Sequence, residues 1–112
     1  MYPQDLEDKM RKFANQAAKY GEEWAVKQGI YNSVSDRKND LLAKLTNDAV
    51  GTTNAEKERN ARCSEEWIDF RCDLGKMQCE ALNLKIKYET AVRNFECARS
   101  LLSSKNAERR TS

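Results

Sequence analysis

The chain has 112 residues, and 34% of them are charged, with 20 Lys and Arg against 18 Asp and Glu. This near balance produces no strong overall field, so the net charge does not demand a nucleic-acid partner. One proline and four glycines are few, and a composition poor in both is typical of long helices. We therefore expect a single all-α domain.

The N-terminal stretch MYPQDLEDKM is acidic and has no apolar segment of the kind that a secretory signal needs. No apolar run approaches the ~20 residues that cross a bilayer. The sequence therefore predicts a soluble, cytoplasmic protein without a membrane partner.

A heptad stripe of apolar residues runs through the first half of the chain, with Lys27 and Lys38 in its two gaps. The stripe consists of Leu6, Met10, Phe13, Ala17, Tyr20, Trp24, Tyr31, Val34, Leu41 and Leu45. Such a stripe faces a partner helix, and Pro3 suits a helix start. We predict helix 1 over about residues 4–49, with residues 27–40 as its weakest part.

Two glycines and the two gap lysines allow more than one interpretation. Gly21 and Gly29 each cost a helix up to about 1 kcal/mol relative to Ala, so they mark a bend, a close helix contact or loose packing. The gap lysines either extend into solvent or meet acidic side chains of the second half, such as Asp69 or Asp73.

The stretch 50–53 is predicted to reverse the chain. Gly51 is suited to end a helix in the left-handed conformation. Thr53 and Glu56 form the pattern of a capping box, which starts the next helix. A connection this short between long helices predicts that they lie antiparallel.

The second half carries an unbroken stripe, which we name the inner seam. It consists of Trp67, Phe70, Leu74, Met77, Ala81, Leu84, Tyr88, Ala91, Phe95, Ala98 and Leu102. We predict helix 2 over about residues 54–107, followed by a frayed tail at 108–112. Folding the chain at the turn places large residues beside small ones, as interdigitated packing requires. The predicted pairs are Trp24 with Ala81, Tyr88 with Ala17, Phe13 with Ala91 and Tyr31 with Leu74.

Helix 2 also carries a second apolar face, directed away from the seam. It consists of Ile68, Cys72, Cys79, Leu82 and Ile86. A helix that is apolar on opposite sides is buried on both, and a lone hairpin has little interior. Helix 1 has only Val26 and Ile30 as large apolar residues off its stripe, so helix 2 is expected inside. We predict that two hairpins pair through this face into an antiparallel four-helix bundle, as a homodimer or a higher oligomer.

The four cysteines are Cys63, Cys72, Cys79 and Cys97, and the chain has no histidine. No C-x-x-C pair is present, so neither a zinc site nor another cofactor is predicted. Cysteines spread along one helix are too far apart for an internal disulfide. We expect reduced and mostly packed thiols, and the sequence leaves disulfides between subunits through Cys72 or Cys79 open.

The sequence offers little for catalysis. The chain has no histidine, which is the usual general base near neutral pH. No Gly-rich phosphate loop appears, and Cys72 has no neighbouring general base. Glu66, Asp69 and Asp73 share a helix face that suits a hard cation, a basic partner or, as we expect, solvent alone. No catalytic residue is predicted, and the chain is interpreted as a non-enzyme.

The end of helix 2 is net basic. Its basic residues are Lys85, Lys87, Arg93, Arg99, Lys105, Arg109 and Arg110, against Glu89, Glu96 and Glu108. Such a segment either contacts phosphates or is an ordinary solvated end. Tyr88 and Phe95 lie on the seam, so we expect them in the core rather than stacked on bases.

The stretch TTNAEKERNARCSEEWIDFRCDLGKMQCEAL resembles small all-helical proteins encoded in bacteriophage early or recombination regions. That resemblance covers the second helix and its cap, and it implies an accessory factor of DNA metabolism in the host cytoplasm. The function expected first is an oligomeric binding protein that contacts single-stranded DNA or a recombination protein. The alternatives are an inhibitor or adaptor that binds a host protein without nucleic acid, and a structural assembly component.

Overall fold

The computed structural model describes residues 2–111, which contain four helices and no strand. Helix α1 spans Pro3–Asp36, α2 spans Lys38–Asp48, α3 spans Asn54–Arg62 and α4 spans Glu65–Thr111. The all-α prediction is confirmed. Each half of the chain is broken once, however, where the sequence predicted one continuous helix.

The chain forms two compact units. The first joins the residues up to Ala25 with the residues from Leu82 onward, and the second contains Val26–Ala81. Each unit therefore combines residues from both halves of the chain.

The second unit contains the reversal of the chain. Leu45 of α2, Ala61 of α3 and Trp67 of α4 form its buried cluster. Four partly buried residues pack against them: Leu41, Leu42, Ala49 and Phe70. Helix α2 packs against α3, so the chain turns back on itself between these two helices as predicted.

Gly51 acts differently from the prediction. No glycine in residues 2–111 has a positive φ, so Gly51 is not a left-handed helix stop. Helix α2 instead ends at Ala49, which is extended. A Cβ on Gly51 would lie 3.1 Å from the backbone nitrogen and from Cγ of Lys57. The glycine is needed because the turn passes close to the first turn of α3.

The start of α3 is capped as the sequence predicts. The backbone N–H of Glu56 donates to Oγ1 of Thr53 at 3.1 Å. The Glu56 carboxylate reaches back one residue further than in the standard motif, because it accepts from the backbone N–H and the hydroxyl of Thr52.

The predicted continuous second helix is interrupted at Cys63 and Ser64. The Ser64 hydroxyl donates to the Ala61 carbonyl at 2.6 Å and accepts from the backbone N–H of Trp67 at 3.3 Å. Ser64 therefore closes α3 and caps α4 with one side chain, since an N-cap oxygen satisfies an amide of the first turn.

The first helix breaks at Arg37, within the stretch that the sequence marks as weakest. Its backbone N–H donates to the Val34 carbonyl at 3.1 Å. This hydrogen bond spans three residues instead of the four of an α-helix, so the backbone is wound more tightly there. At the other end of the chain α4 continues to Thr111. Residues 108–111 of the predicted frayed tail are therefore helical in the structure, and Ser112 lies outside the described residues.

In the first unit, α1 and α4 run antiparallel. Leu6 lines a groove with Ala98 and Leu101, whereas the Trp24 ring lies 5.7 Å from the Tyr88 ring. Residues later in α1 thus meet residues earlier in α4.

The closest contact between these two segments is at Gly21. A Cβ on Gly21 would lie 3.2 Å from Cδ2 and Cε2 of Tyr88. Tyr88 therefore packs against Gly21 and Trp24, where the prediction placed it opposite Ala17. The structure also decides between the interpretations of the two glycines: Gly21 is a close helix contact, and a Cβ on Gly29 would meet nothing within 4 Å.

The predicted stripes are confirmed as the packed sides of their helices. Every residue of the inner seam is buried or half-buried, and so is every apolar residue of the first stripe. Of the gap lysines, Lys38 is half-buried, and Lys27 is exposed with its Nζ 3.4 Å from the Glu80 carboxylate. The suggested partners Asp69 and Asp73 were wrong for Lys27.

Candidate functional site

The predicted second apolar face of helix 2 lies on α4 and is uncovered. We call Ile68, Cys72, Cys79, Leu82 and Ile86 the outer row. Ile68 is 49% exposed, Leu82 47% and Ile86 59%, and both cysteines are exposed. Large apolar side chains that share one side of a helix and remain in solvent indicate a binding surface.

The outer row is uncharged along its whole length. Steps of four and three residues keep its members on one side of a continuous α-helix, and α4 is continuous over Glu65–Thr111. Gly75 falls on the same side by this spacing, and a Cβ there would meet nothing within 4 Å. Charged residues lie beside the row, on its flanks, and not within it.

The local reason for this exposure is the position of the inner seam. In the second unit Trp67 and Leu74 are buried, and in the first unit Ala91 and Ala98 are buried. The rest of the chain therefore contacts α4 on the seam side, and it leaves the opposite side uncovered.

The cysteines differ from the prediction in one respect. All four are free thiols, and all four are exposed. Most were expected to be packed, which is wrong. Cys63 caps the end of α3 and Cys97 lines the groove beside Leu6, so neither belongs to the outer row.

Helix α1 has a smaller exposed apolar pair in the second unit. Val26 and Ile30, one turn apart, are both exposed. They are the two large apolar residues that the sequence analysis placed off the heptad stripe of the first half, and they form a surface of two side chains.

The predicted basic segment lies entirely in the first unit. Lys85 and Lys105 are half-buried, and the other five basic residues are exposed. Three carboxylates of α4 lie one turn from a basic residue: Glu89 beside Lys85, Glu96 beside Arg99 and Glu108 beside Lys105. Exposed pairs of this kind contribute little to stability, so the basic groups stay accessible to another anion.

The aromatic residues near the basic segment face inward. Tyr88 and Phe95 are half-buried in the seam, as predicted. Two lysines of α4 lie over aromatic rings of α1: Lys85 Nζ is 5.9 Å from the Trp24 ring centre, and Lys87 Nζ is 5.7 Å from that of Tyr20. The segment thus presents cations without the exposed rings that stack on bases.

The acidic residues do not assemble into a metal centre. Within residues 2–111 no group of three or more acidic or sulfur side chains is placed to hold a metal ion. That result covers Glu66, Asp69 and Asp73, the trio that the sequence associated with a hard cation. Over the same residues, no helix combines the length and apolar character that crossing a membrane requires.

Comparisons with protein-family models, with curated proteins and with solved structures found no match. The resemblance to phage early-region proteins stays a prediction, and the proposals below do not rest on it.

Proposed function

We propose that this chain is a non-enzymatic binding protein that assembles with copies of itself through the outer row of α4. The observation that supports the proposal is the exposure of Ile68, Leu82 and Ile86 on the side of α4 opposite its packed seam. Assembly would cover this row and produce the predicted four-helix bundle.

The size of the apolar contribution can be worked from the exposed fractions. Full burial of an Ile or Leu side chain contributes about 1.5–3 kcal/mol. Each of the three large side chains is about half exposed, so covering it contributes roughly 1 kcal/mol. Two copies together then gain on the order of 5 kcal/mol, from which the entropic cost of association is subtracted.

Light scattering on single substitutions tests the proposal. Leu82→Glu and Ile86→Glu place a charge in the row, so each variant should lose assembly and have the mass of one chain. Leu101→Glu is the matched control, because Leu101 is 54% exposed on the same helix but outside the row. The wild type and this control should keep the assembled mass.

Two results would reject the proposal. One is a wild-type mass equal to a single chain at all concentrations. The other is an assembled mass that survives both row substitutions while circular dichroism shows intact helices.

Contact with single-stranded DNA is the second candidate function. The observation in its favour is the excess of seven basic over three acidic residues between Lys85 and Arg110, most of them exposed. Gel shift with a short single strand at about 50 mM salt should show binding that weakens steeply as salt rises. No shift at that salt, with Arg93→Glu indistinguishable from wild type, would remove this candidate.

Binding of another protein is the remaining alternative, as an inhibitor or adaptor without nucleic acid. Val26 and Ile30 favour it, because this exposed apolar pair lies on α1 and is separate from the outer row of α4. A pull-down from a cell lysate with wild type and with Ile30→Glu tests it. A protein retained by wild type and released by the variant would support the adaptor role, and equal retention would argue against this surface.

A further inference from the structure

We infer that one side of the α1–α4 pair in the first unit binds the phosphate backbone of a single-stranded nucleic acid through four lysines. We call them the lysine row: Lys9, Lys12 and Lys19 of α1 and Lys87 of α4, all in the first unit. The inference rests on the second candidate function, contact with single-stranded DNA. It moves most of that contact from the basic segment of α4 to α1.

The sequence of α1 has no negative charge where the row lies. Residues 9–21 contain four basic residues and no Asp or Glu. Spacings of three and seven residues bring Lys9, Lys12 and Lys19 to one side of the helix. The fourth basic residue, Arg11, pairs with a carboxylate of the preceding turn at 3.7 Å. The row is therefore a run of like charges along one side of α1.

Two contacts join α4 to this side of α1. Lys87 Nζ lies 5.7 Å from the centre of the Tyr20 ring, and Lys19 Nζ lies 5.8 Å from the same centre. Lys9 lines a groove with Asn94 of α4. Asn94 follows Lys87 by seven residues, so the two residues share one side of α4. The four lysines thus border a single groove between the two helices.

The lysines of the row are exposed, and none has a carboxylate within 4.0 Å in residues 2–111. The ion pairs of the first unit use other cations, namely Arg11, Lys85, Arg99 and Lys105. Like charges gathered without a counter-charge repel each other, and a bound anion relieves that repulsion. The row is therefore available to an anionic ligand.

The acidic residues of the first unit either have partners or lie beyond the row. On α4, Glu89 and Glu96 pair with Lys85 and Arg99. The acidic residues of α1 precede the row at Asp5, Glu7 and Asp8, and follow it at Glu22 and Glu23. An anion on the row therefore meets negative charge only at the two ends.

The surroundings of the row favour a phosphate chain over a lipid surface or an acidic protein. No large apolar side chain is exposed in residues 9–21 or 87–98, whereas membrane surfaces and protein partners bury apolar side chains beside their charges. Gln16, Tyr20 and Asn94 lie along the row and are half-buried. Amide and hydroxyl groups of this kind contact phosphate and sugar oxygens.

The shape of the row favours a single strand over a duplex. Helix α1 is continuous here, so Lys9 and Lys19 lie about 15 Å apart along a straight line. A single strand can extend along such a line. A strand of duplex DNA climbs about four base pairs over that distance and winds nearly half a turn around its axis, so its phosphates leave the row. Contacts to phosphates alone carry no sequence preference.

Fluorescence anisotropy with a short labelled oligothymidylate tests the inference on the full-length chain. Lys12→Gln with Lys19→Gln removes two charges of the row and keeps good helix formers at both positions. The matched control is Arg93→Gln with Arg99→Gln, which removes two exposed charges that the helical spacing directs away from Lys87. Circular dichroism confirms that each variant is folded.

The expected effects follow from the release of counterions by the bound phosphates. Four contacts give a slope of about −3 for the logarithm of affinity against the logarithm of salt concentration on a single strand. Lys12→Gln with Lys19→Gln should weaken binding about tenfold or more at about 50 mM salt and reduce the slope by about 1.4. Lys87→Gln should reduce it by about 0.7. The arginine control should keep the affinity and slope of wild type.

The outcomes separate this inference from the candidate function beneath it. A wild-type chain that binds no single strand at about 50 mM salt would reject both. Binding that is lost in the arginine control and kept in Lys12→Gln with Lys19→Gln would leave the function standing and overturn only the lysine row. Tighter binding of a duplex, or of phosphatidylserine vesicles, than of the single strand would also overturn the row as a single-strand site.

Discussion

Replacing glycine by alanine at two positions of α1 tests the packing in this structure, because the two sites differ in a single respect. Gly29 and Gly21 both lie inside the helix, and neither has a positive φ. A Cβ on Gly29 would meet nothing within 4 Å, whereas one on Gly21 would lie 3.2 Å from two ring carbons of Tyr88.

The magnitudes follow from two opposing effects. Alanine in place of an interior helix glycine raises the free energy of unfolding by about 0.5–1 kcal/mol. Gly29→Ala should gain this amount in full. Gly21→Ala should gain it too, but the Tyr88 ring must then move a few tenths of an ångström while it packs against Trp24. Overpacking of that kind costs about 1–3 kcal/mol, so the net change should be a loss of up to about 2 kcal/mol.

Urea denaturation followed by circular dichroism measures both changes. The expected order of midpoints is Gly29→Ala above wild type, and Gly21→Ala at or below it. Equal stabilisation by the two substitutions would refute the close contact between α1 and α4. In a double-mutant cycle, Tyr88→Ala should remove the penalty of Gly21→Ala, since the opposing ring is then gone.

One further prediction concerns the cap of α3. Thr53→Ala should lower the free energy of unfolding by about 1 kcal/mol in urea denaturation, because it removes the oxygen that accepts from the Glu56 N–H. Thr52→Ala is the comparison. If Thr53→Ala loses no more stability than Thr52→Ala does, the cap does not stabilise α3.

The heptad stripes could be predicted because packing against a partner helix imposes a strict spacing. Every seam residue of α4 is buried or half-buried for that reason. The reversal was also predictable, since Thr53 and Glu56 form a local pattern whose hydrogen bonds need no distant residue.

The helix breaks at Arg37 and at Cys63 and Ser64 were harder to predict, because no proline or glycine stands at either break. Ser64 followed by Glu65 and Glu66 has the character of a helix start, with a cap and acidic residues in the first turn. That pattern could have located the beginning of α4. The unbroken apolar spacing beyond it masked the interruption.

The detailed pairing across the helices depends on side-chain direction rather than on spacing. Tyr88 was matched with Ala17 from the position of the turn alone. In the structure its ring lies against Gly21 and Trp24, because helical side chains point toward the N-terminus of their own helix. The apolar character of the outer row was likewise visible in the sequence, whereas its exposure required the structure.

The accessibility of the four native thiols tests the central claim most directly, because each cysteine is exposed in a single chain and only two lie on the outer row. Pulsed alkylation at high protein concentration, read by mass spectrometry of peptides, compares Cys72 and Cys79 with Cys63 and Cys97. The row thiols should react much more slowly than the other two, and they should lose that protection on dilution and in Leu82→Glu. Equal reactivity of all four thiols at every concentration would show that the row is uncovered and would contradict self-assembly through α4.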